Sequence, residues 1–84
     1  MKTATILNKD MGNDNQWLVK VSPPHDGHEF IVVSVGKSGF NETYLFGANE
    51  DGIITNWMEL SGSQVGFRDH RRVLCEAGFI ISED

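Results

Sequence analysis

The sequence predicts an α+β fold, with one helix packed on one face of a two-layer structure whose other layer is a mostly antiparallel sheet of four to six strands. Three observations support this prediction. Short apolar segments with a period of two are separated by turn residues, a single segment near the C-terminus has helical spacing, and 84 residues suffice for one modest core. We therefore expect one compact domain over residues 1–84.

Most of the chain has the pattern of strands. The segment 28–35 includes Ile31-Val32-Val33, which is apolar on both faces and indicates a central strand. Pro23-Pro24 is expected to end the strand before it, and Asn49-Glu50-Asp51-Gly52 predicts a hairpin turn. The predicted strands are residues 3–7, 16–22, 28–35, 43–48, 53–58 and 79–81.

The helix is predicted at about residues 64–77. Apolar positions recur on one helical face, Ser61-Gly62-Ser63 offers N-cap hydroxyls, and Gly78 suits the left-handed residue after a helix. All three arginines of the chain, Arg68, Arg71 and Arg72, fall within this segment. The helix is thus expected to carry a local cationic surface on an acidic protein.

Charge and cysteine content limit the classes of function. Twelve Asp and Glu against seven Lys and Arg give a net charge of −5, which argues against a broad basic face for nucleic acid. Cys75, expected near the buried face of the helix, is the single cysteine, so an internal disulfide is excluded and a reducing compartment is favoured. With no bilayer-length apolar run and no signal-peptide pattern, we expect a cytoplasmic protein.

Candidate catalytic and metal-binding motifs are incomplete. His25 and His28 lie in one turn without a matching third ligand, and adjacent helical residues such as Asp69 and His70 point about 100° apart. The Gly36-Lys37-Ser38 triplet lacks the earlier glycine of a phosphate loop and precedes a strand. We expect no catalytic residue, no cofactor and no metal ion, and hence a protein that is not an enzyme.

The candidate partner-binding residues are of three kinds. They are the aromatic residues Tyr44 and Trp57, the acidic residues Glu50, Asp51 and Glu59, and the arginines Arg68, Arg71 and Arg72. The aromatic residues and the arginines also have a purely structural interpretation. Both tryptophans suit a core beneath the helix, and the arginines suit a solvated face with Arg72 and Glu76 as an i,i+4 pair.

Part of the sequence, within residues 42–79, resembles a group of known proteins. The residues that carry the resemblance are Glu42-Thr43-Tyr44-Leu45-Phe46, Gly52, Trp57-Met58-Glu59-Leu60, Gly62-Ser63, Gly66, Asp69-His70 and Ala77-Gly78-Phe79. In these positions the chain is similar to short, uncharacterised proteins of tailed bacteriophages and prophages. The resemblance implies a phage or prophage origin and transfers no catalytic residues.

Three functions remain open. The first is an acidic protein that binds another protein, as an anti-CRISPR-like inhibitor of a host or defence protein, by steric occlusion or phosphate mimicry in the host cytosol. The second is a minor phage structural or assembly protein that self-associates, for example as a homodimer, through a sheet edge. The third is a nucleic-acid module that uses Arg68, Arg71 and Arg72, and the net charge makes it the least favoured.

Overall fold

A computed structural model describes residues 2–9, 16–35, 42–58, 60, 63–65 and 69–83. Within this part the chain forms a mostly antiparallel sheet and one helix, which confirms the α+β prediction. The strands are β1 (Thr3–Asn8), β2 (Gln16–His25), β3 (His28–Val35), β4 (Glu42–Ala48), β5 (Ile54–Asn56), β6 (Gln64–Val65) and β7 (Ile80–Glu83), and the helix is α1 (His70–Glu76).

The strand order is β5-β4-β3-β2-β1-β7, with the two-residue β6 also paired to β4. The hairpin-linked strands β1 to β5 pair antiparallel in sequence order, and β7 adds to β1 in parallel. The predicted central position of the 28–35 strand is confirmed, since β3 lies between β2 and β4. The short strands β5 and β7 form the two ends of this order.

The main core lies on the sheet face that carries α1. Along the strands, alternate residues contribute to it, and Val73 and Leu74 of α1 belong to the same buried cluster. The strand residues of this cluster are Ala4, Ile6, Val19, Val21, Ile31, Val33 and Leu45. Burial of the Val, Leu and Ile side chains of this cluster, each stabilising by roughly 1.5–3 kcal/mol, is the main force that holds the helix to the sheet.

The opposite sheet face carries a second, smaller apolar cluster. Leu18, Val32 and Ala48 are buried there, with Phe30 and Ile54 packed against them. Cross-strand partners share a face, so the pairing of Val32 with Phe46 and of Ser34 with Tyr44 places both aromatic residues of β4 on this side. The sheet is therefore apolar on both faces in its centre, as the Ile31-Val32-Val33 run predicts.

The predicted start of the helix is wrong. Gln64 and Val65 form β6, and the helix begins at His70. Asp69 is the N-cap: its backbone is extended and its carboxylate accepts hydrogen bonds from the N–H groups of Arg71 and Arg72 at 3.0 and 3.1 Å. A cap of this kind stabilises a helix by about 1 kcal/mol, which favours the start at His70 over an earlier one.

Ser63, expected among the N-cap hydroxyls, holds a loop instead. Its Oγ accepts a hydrogen bond from the N–H of Leu45 at 2.9 Å and donates one to the carbonyl of Leu60 at 2.9 Å. Thr43 of β4 makes the next link, because its buried Oγ1 accepts a hydrogen bond from the N–H of Asp69 at 3.2 Å. Strand β4 thereby holds both Ser63 and Asp69, the N-cap of the helix.

The end of the helix agrees with the prediction. Gly78 has a φ of 94°, and its N–H donates to the carbonyl of Cys75 while the N–H of Phe79 donates to that of Leu74. This pair of bonds is a Schellman motif, which requires a residue with positive φ after the helix. Leu74 and Phe79 are both buried in the main core, so the motif is closed by an apolar contact.

Three smaller expectations need correction. Strand β2 continues through Pro23-Pro24 to His25, because its pairing with β3 shifts register between Lys20 and His25 and leaves no ladder bond for the prolines to break. The strand predicted at 53–58 is limited to Ile54–Asn56. Cys75 is exposed, since Val73 and Leu74 occupy the buried side of the short helix.

Some predictions lie outside the described residues, among them those that concern Glu59, Phe67 and Arg68. The two-layer arrangement stays a prediction: Val73 and Leu74 of α1 pack with one face of the sheet, whereas the opposite face carries an apolar cluster of its own.

Candidate protein-binding surface

The described candidate residues fall into two groups, with Tyr44 and α1 on opposite faces of the sheet. Tyr44, Glu50, Asp51 and Trp57 belong to the β4–β5 hairpin and the residues that flank it. Arg71 and Arg72 lie on α1, which packs on the other face. The structure therefore does not bring the aromatic and cationic candidates together into one site.

The hairpin turn is fixed by the side chain of Asn49. Its Oδ1 accepts hydrogen bonds from the N–H groups of Asp51 at 2.9 Å and Ile53 at 3.1 Å, and the N–H of Gly52 donates to its carbonyl. Gly52 has a φ of 83°, a conformation that glycine adopts without steric cost. Because Asn49 supplies the capping acceptor, the carboxylates of Glu50 and Asp51 extend from an ordered turn into solvent.

A second ordered segment follows β5. The Oδ1 of Asn56 accepts a hydrogen bond from the N–H of Met58 at 3.0 Å, a local turn that sets the direction of Trp57 between them. The indole of Trp57 contacts the ring of Phe46, with centroids 5.4 Å apart and an interplanar angle of 54°. Phe46 in turn contacts Tyr44 at 6.0 Å, so Trp57 rests on a row of aromatic rings on the second sheet face.

Three large apolar side chains next to β5 are exposed to solvent. The exposed fractions are 62% for Ile53, 69% for Trp57 and 76% for Met58. We refer to Trp57 and Met58, which are adjacent in the chain, as the Trp57 patch. Tryptophan is on average a well-buried residue, so an exposed indole that is held against another ring marks a surface suited to contact another molecule.

Close packing on β4 keeps the hairpin in place. A Cβ atom at Gly47 would clash with the imidazole of His28, which lies across this position. The same imidazole has its Nε2 3.5 Å from the Nδ2 of Asn56, the residue that pairs with Gly47. His28 thus has a structural role here, and it links β3 to the strand that precedes Trp57.

Trp17 packs against the core beneath the helix, which is the structural interpretation of both tryptophans given above. It is partly buried against the main core, and its ring stacks on the imidazole of His70 at 4.2 Å with an interplanar angle of 3°. The guanidinium of Arg71 and the ammonium of Lys9 lie 5.5 and 5.2 Å from the same ring. Trp17 therefore joins β2 to the start of α1.

Arg72 has the structural partner that its spacing predicts. Its Nε lies 3.5 Å from the Oε1 of Glu76, and both side chains are about half exposed. A surface pair of this type stabilises by only a few tenths of a kcal/mol. Of the predicted arginine cluster, the two described members thus make contacts within the chain.

Two further classes of site were searched for among the described residues: metal-binding clusters and membrane-spanning helices. These residues contain no group of three or more His, Cys, Asp or Glu side chains that could hold a metal ion. Over the same residues, no helix has the length and apolar character needed to cross a membrane.

Two features of the structure were not predicted from the sequence: the exposure of Ile53 and Met58, and the stack of Trp17 on His70. Ile53 and Met58 were expected inside a strand, whereas β5 ends short of them and leaves both exposed. The stack of Trp17 on His70 joins residues far apart in sequence, so only the assembled sheet reveals it. For the patch a signal did exist, because asparagine favours turns that end a strand, and Asn56 is the last residue of β5.

Comparison with known proteins returned no match to a protein-family model, to a curated protein or to a solved structure.

Proposed function

We propose that the protein binds another protein through the Trp57 patch, which works as a preformed contact surface and not as a catalytic site. The observation that carries this proposal is the exposed indole of Trp57, held by Phe46 and by the turn at Asn56. Trp and Met are enriched at the centres of protein interfaces, and truncation of such a Trp typically costs at least about 2 kcal/mol of binding energy.

The ring contact of Trp57 supports the proposal in addition to its exposure. Binding requires that interface side chains lose rotamer freedom, at about 0.5–1.5 kcal/mol for each. Part of this cost is already met for Trp57, since its ring has a fixed neighbour in the free protein. A surface prepared in this way binds more tightly than an equal area of mobile side chains.

The resemblance to phage proteins gives the proposal a more specific form. In a phage or prophage setting, the partner is a host or defence protein, and the chain acts as an inhibitor that covers a functional surface, in the manner of an anti-CRISPR protein. Tyr44 lies next to Phe46 and extends the aromatic contact, while Glu50 and Asp51 provide the negative charge.

The alternative function, self-association in a phage assembly, has one observation in its favour. Strand β7 is an end strand of the sheet, and its Ile80 is 55% exposed. A second copy that paired along this edge would cover it. For the nucleic-acid alternative, the contacts of Arg71 with Trp17 and of Arg72 with Glu76 provide no comparable support.

A comparative capture experiment tests the proposed function. Immobilised wild-type protein, Trp57→Ala and Ile80→Ala are each exposed to a lysate of the source cells. Ile80→Ala is the matched control, since it also removes a large exposed apolar side chain, but at the other end of the sheet. We expect a partner that wild type and Ile80→Ala retain and Trp57→Ala loses, with an affinity at least about thirtyfold lower.

Loss of that partner from Ile80→Ala but not from Trp57→Ala would contradict the proposal. A concentration-dependent dimer that Ile80→Ala abolishes, seen by light scattering, would favour self-association instead.

A further inference from the structure

The Trp57 patch is connected to β3 through two side chains. The Oδ1 of Asn56 accepts a hydrogen bond from the N–H of Met58 at 3.0 Å, and the Nδ2 of the same amide lies 3.5 Å from the Nε2 of His28. His28 and Asn56 are both partly buried, and the imidazole lies across Gly47, where a Cβ atom would clash with it. The packing of β3 on β4 therefore sets the position of this imidazole.

The direction of these hydrogen bonds defines the protonation state of His28. A backbone N–H group only donates, so the amide atom that contacts Met58 must be the oxygen of Asn56. The nitrogen of the amide then faces His28, and an amide NH₂ group is also only a donor. The Nε2 of His28 must accept, which requires a neutral imidazole with its proton on Nδ1.

Protonation of His28 is incompatible with this arrangement. An imidazolium carries a hydrogen on Nε2, so two donors would face each other across 3.5 Å. Reversal of the Asn56 amide would present its oxygen to the imidazolium, in a charge-assisted hydrogen bond that is stronger than a neutral one. The same reversal turns the NH₂ group toward the N–H of Met58, which then loses its acceptor.

We propose, resting on the proposed function, that His28 positions the Trp57 patch through Asn56 and makes the patch sensitive to pH. Neutral His28 holds the Asn56 amide in the orientation that orders the turn at Trp57, and protonated His28 releases this turn. Imidazole side chains gain their proton between about pH 8 and pH 5, so the patch is ordered at the upper end of this range and released at the lower end. Partner binding is then weaker in acid.

Other titratable groups lie on the elements that border His28. From β4 and β5, the residues that face its imidazole are Gly47 and Asn56, which carry no charge. The titratable groups of the neighbouring strands and turns are His25, the Cα partner of His28 on β2, and the carboxylates of Asp26, Glu29, Glu50 and Asp51. His25 is the second imidazole in this set, so it provides the control for the first.

NMR spectroscopy of the full chain without a partner tests the link directly. Proton–nitrogen correlation spectra are recorded from about pH 8 to about pH 5, with the imidazole of His28 followed in the same samples. We expect the temperature coefficient of the Met58 amide proton to change from that of a hydrogen-bonded amide to that of a solvated one. The midpoint of this change is expected to coincide with the titration of His28.

Three variants separate His28 from the other groups. His28→Gln offers the Asn56 amide a neutral acceptor at every pH, so the Met58 amide is expected to stay hydrogen-bonded in acid. Asn56→Asp is expected to remove the response too, because its two carboxylate oxygens accept from an imidazolium and from the N–H of Met58 together. His25→Gln is the matched control and is expected to leave the titration unchanged.

The inference is overturned if the Met58 amide of the wild type does not respond to pH, if its midpoint differs from that of His28, or if His28→Gln keeps the response. If His28→Gln does not fold, a response that persists in Asn56→Asp overturns the inference in its place.

The capture experiment, repeated at about pH 7.5 and about pH 5.5, separates these failures from failure of the proposed function. We expect the wild type to bind the partner roughly three- to tenfold more weakly in acid, and His28→Gln to bind it equally at both values. A partner that Trp57→Ala retains at the higher pH contradicts the proposed function. A partner that Trp57→Ala loses, with the same acid response in wild type and His28→Gln, leaves the surface assigned and overturns the role of His28.

Discussion

Leu74→Ala lowers the free energy of unfolding by about 2–5 kcal/mol, the largest effect on stability that we expect from a single substitution. Leu74 is fully buried in the main core, where its side chain packs with residues of the sheet and with Phe79. Its truncation leaves a cavity between the helix and the sheet. In a domain of this size each kcal/mol corresponds to roughly 4–8 °C, so the melting temperature falls by at least about 8 °C.

Chemical denaturation of wild type and variants measures this effect. Cys75→Ala is the matched control, because Cys75 is exposed on the same helix and its replacement is expected to change stability by less than about 0.5 kcal/mol. If Leu74→Ala does not fold, Val73→Ala removes less volume from the same cluster and provides the measurement. Wild-type stability in both core variants would show that α1 does not cover the sheet as described.

The two tryptophans differ sharply in their expected contributions to stability. Trp17→Ala removes the stack on His70 and the contact with the main core, and we expect a loss of about 2–3 kcal/mol. Trp57→Ala removes a mostly exposed side chain whose described ring contact is with Phe46, and we expect a change within about 0.5 kcal/mol.

Thermal melts of the two alanine variants, recorded by circular dichroism, test this contrast. Trp17→Phe is a useful control, since it retains a ring against His70 and should recover part of the stability. Equal losses for Trp17→Ala and Trp57→Ala would mean that Trp57 belongs to the core, and the contact surface would then have to be reassigned.

The strands could be predicted from the sequence more reliably than the helix. Alternation along 43–48 reflects which side chains face the core, so Leu45 and Phe46 were placed on the correct opposite faces. The helix was extended too far because Phe67 continues an apolar rhythm, whereas the pairing of Gln64–Val65 with β4 is a tertiary contact that rhythm does not report. Asp69 was a local signal for the true start, since Asp is a strong N-cap residue.

The candidate surface could be predicted only in part, for a similar reason. Turn chemistry at Asn49-Glu50-Asp51-Gly52 placed Glu50 and Asp51 on an exposed hairpin. The burial of a tryptophan, however, depends on which elements lie above it. Trp17 stacks on His70 of α1, while Trp57 follows β5, an end strand of the sheet. In both cases the residues that decide the burial of the tryptophan are distant from it in sequence.

Site-directed photo-cross-linking tests most directly that the Trp57 patch contacts another protein. A benzophenone amino acid is placed at position 57 and, in a second variant, at position 80, and each protein is irradiated in the source cells. We expect position 57 to cross-link to a distinct foreign protein, with the product suppressed by excess wild-type chain, and position 80 to give no such product. A cross-link from position 57 to a second copy of the chain, or the foreign product from position 80 alone, would contradict the account.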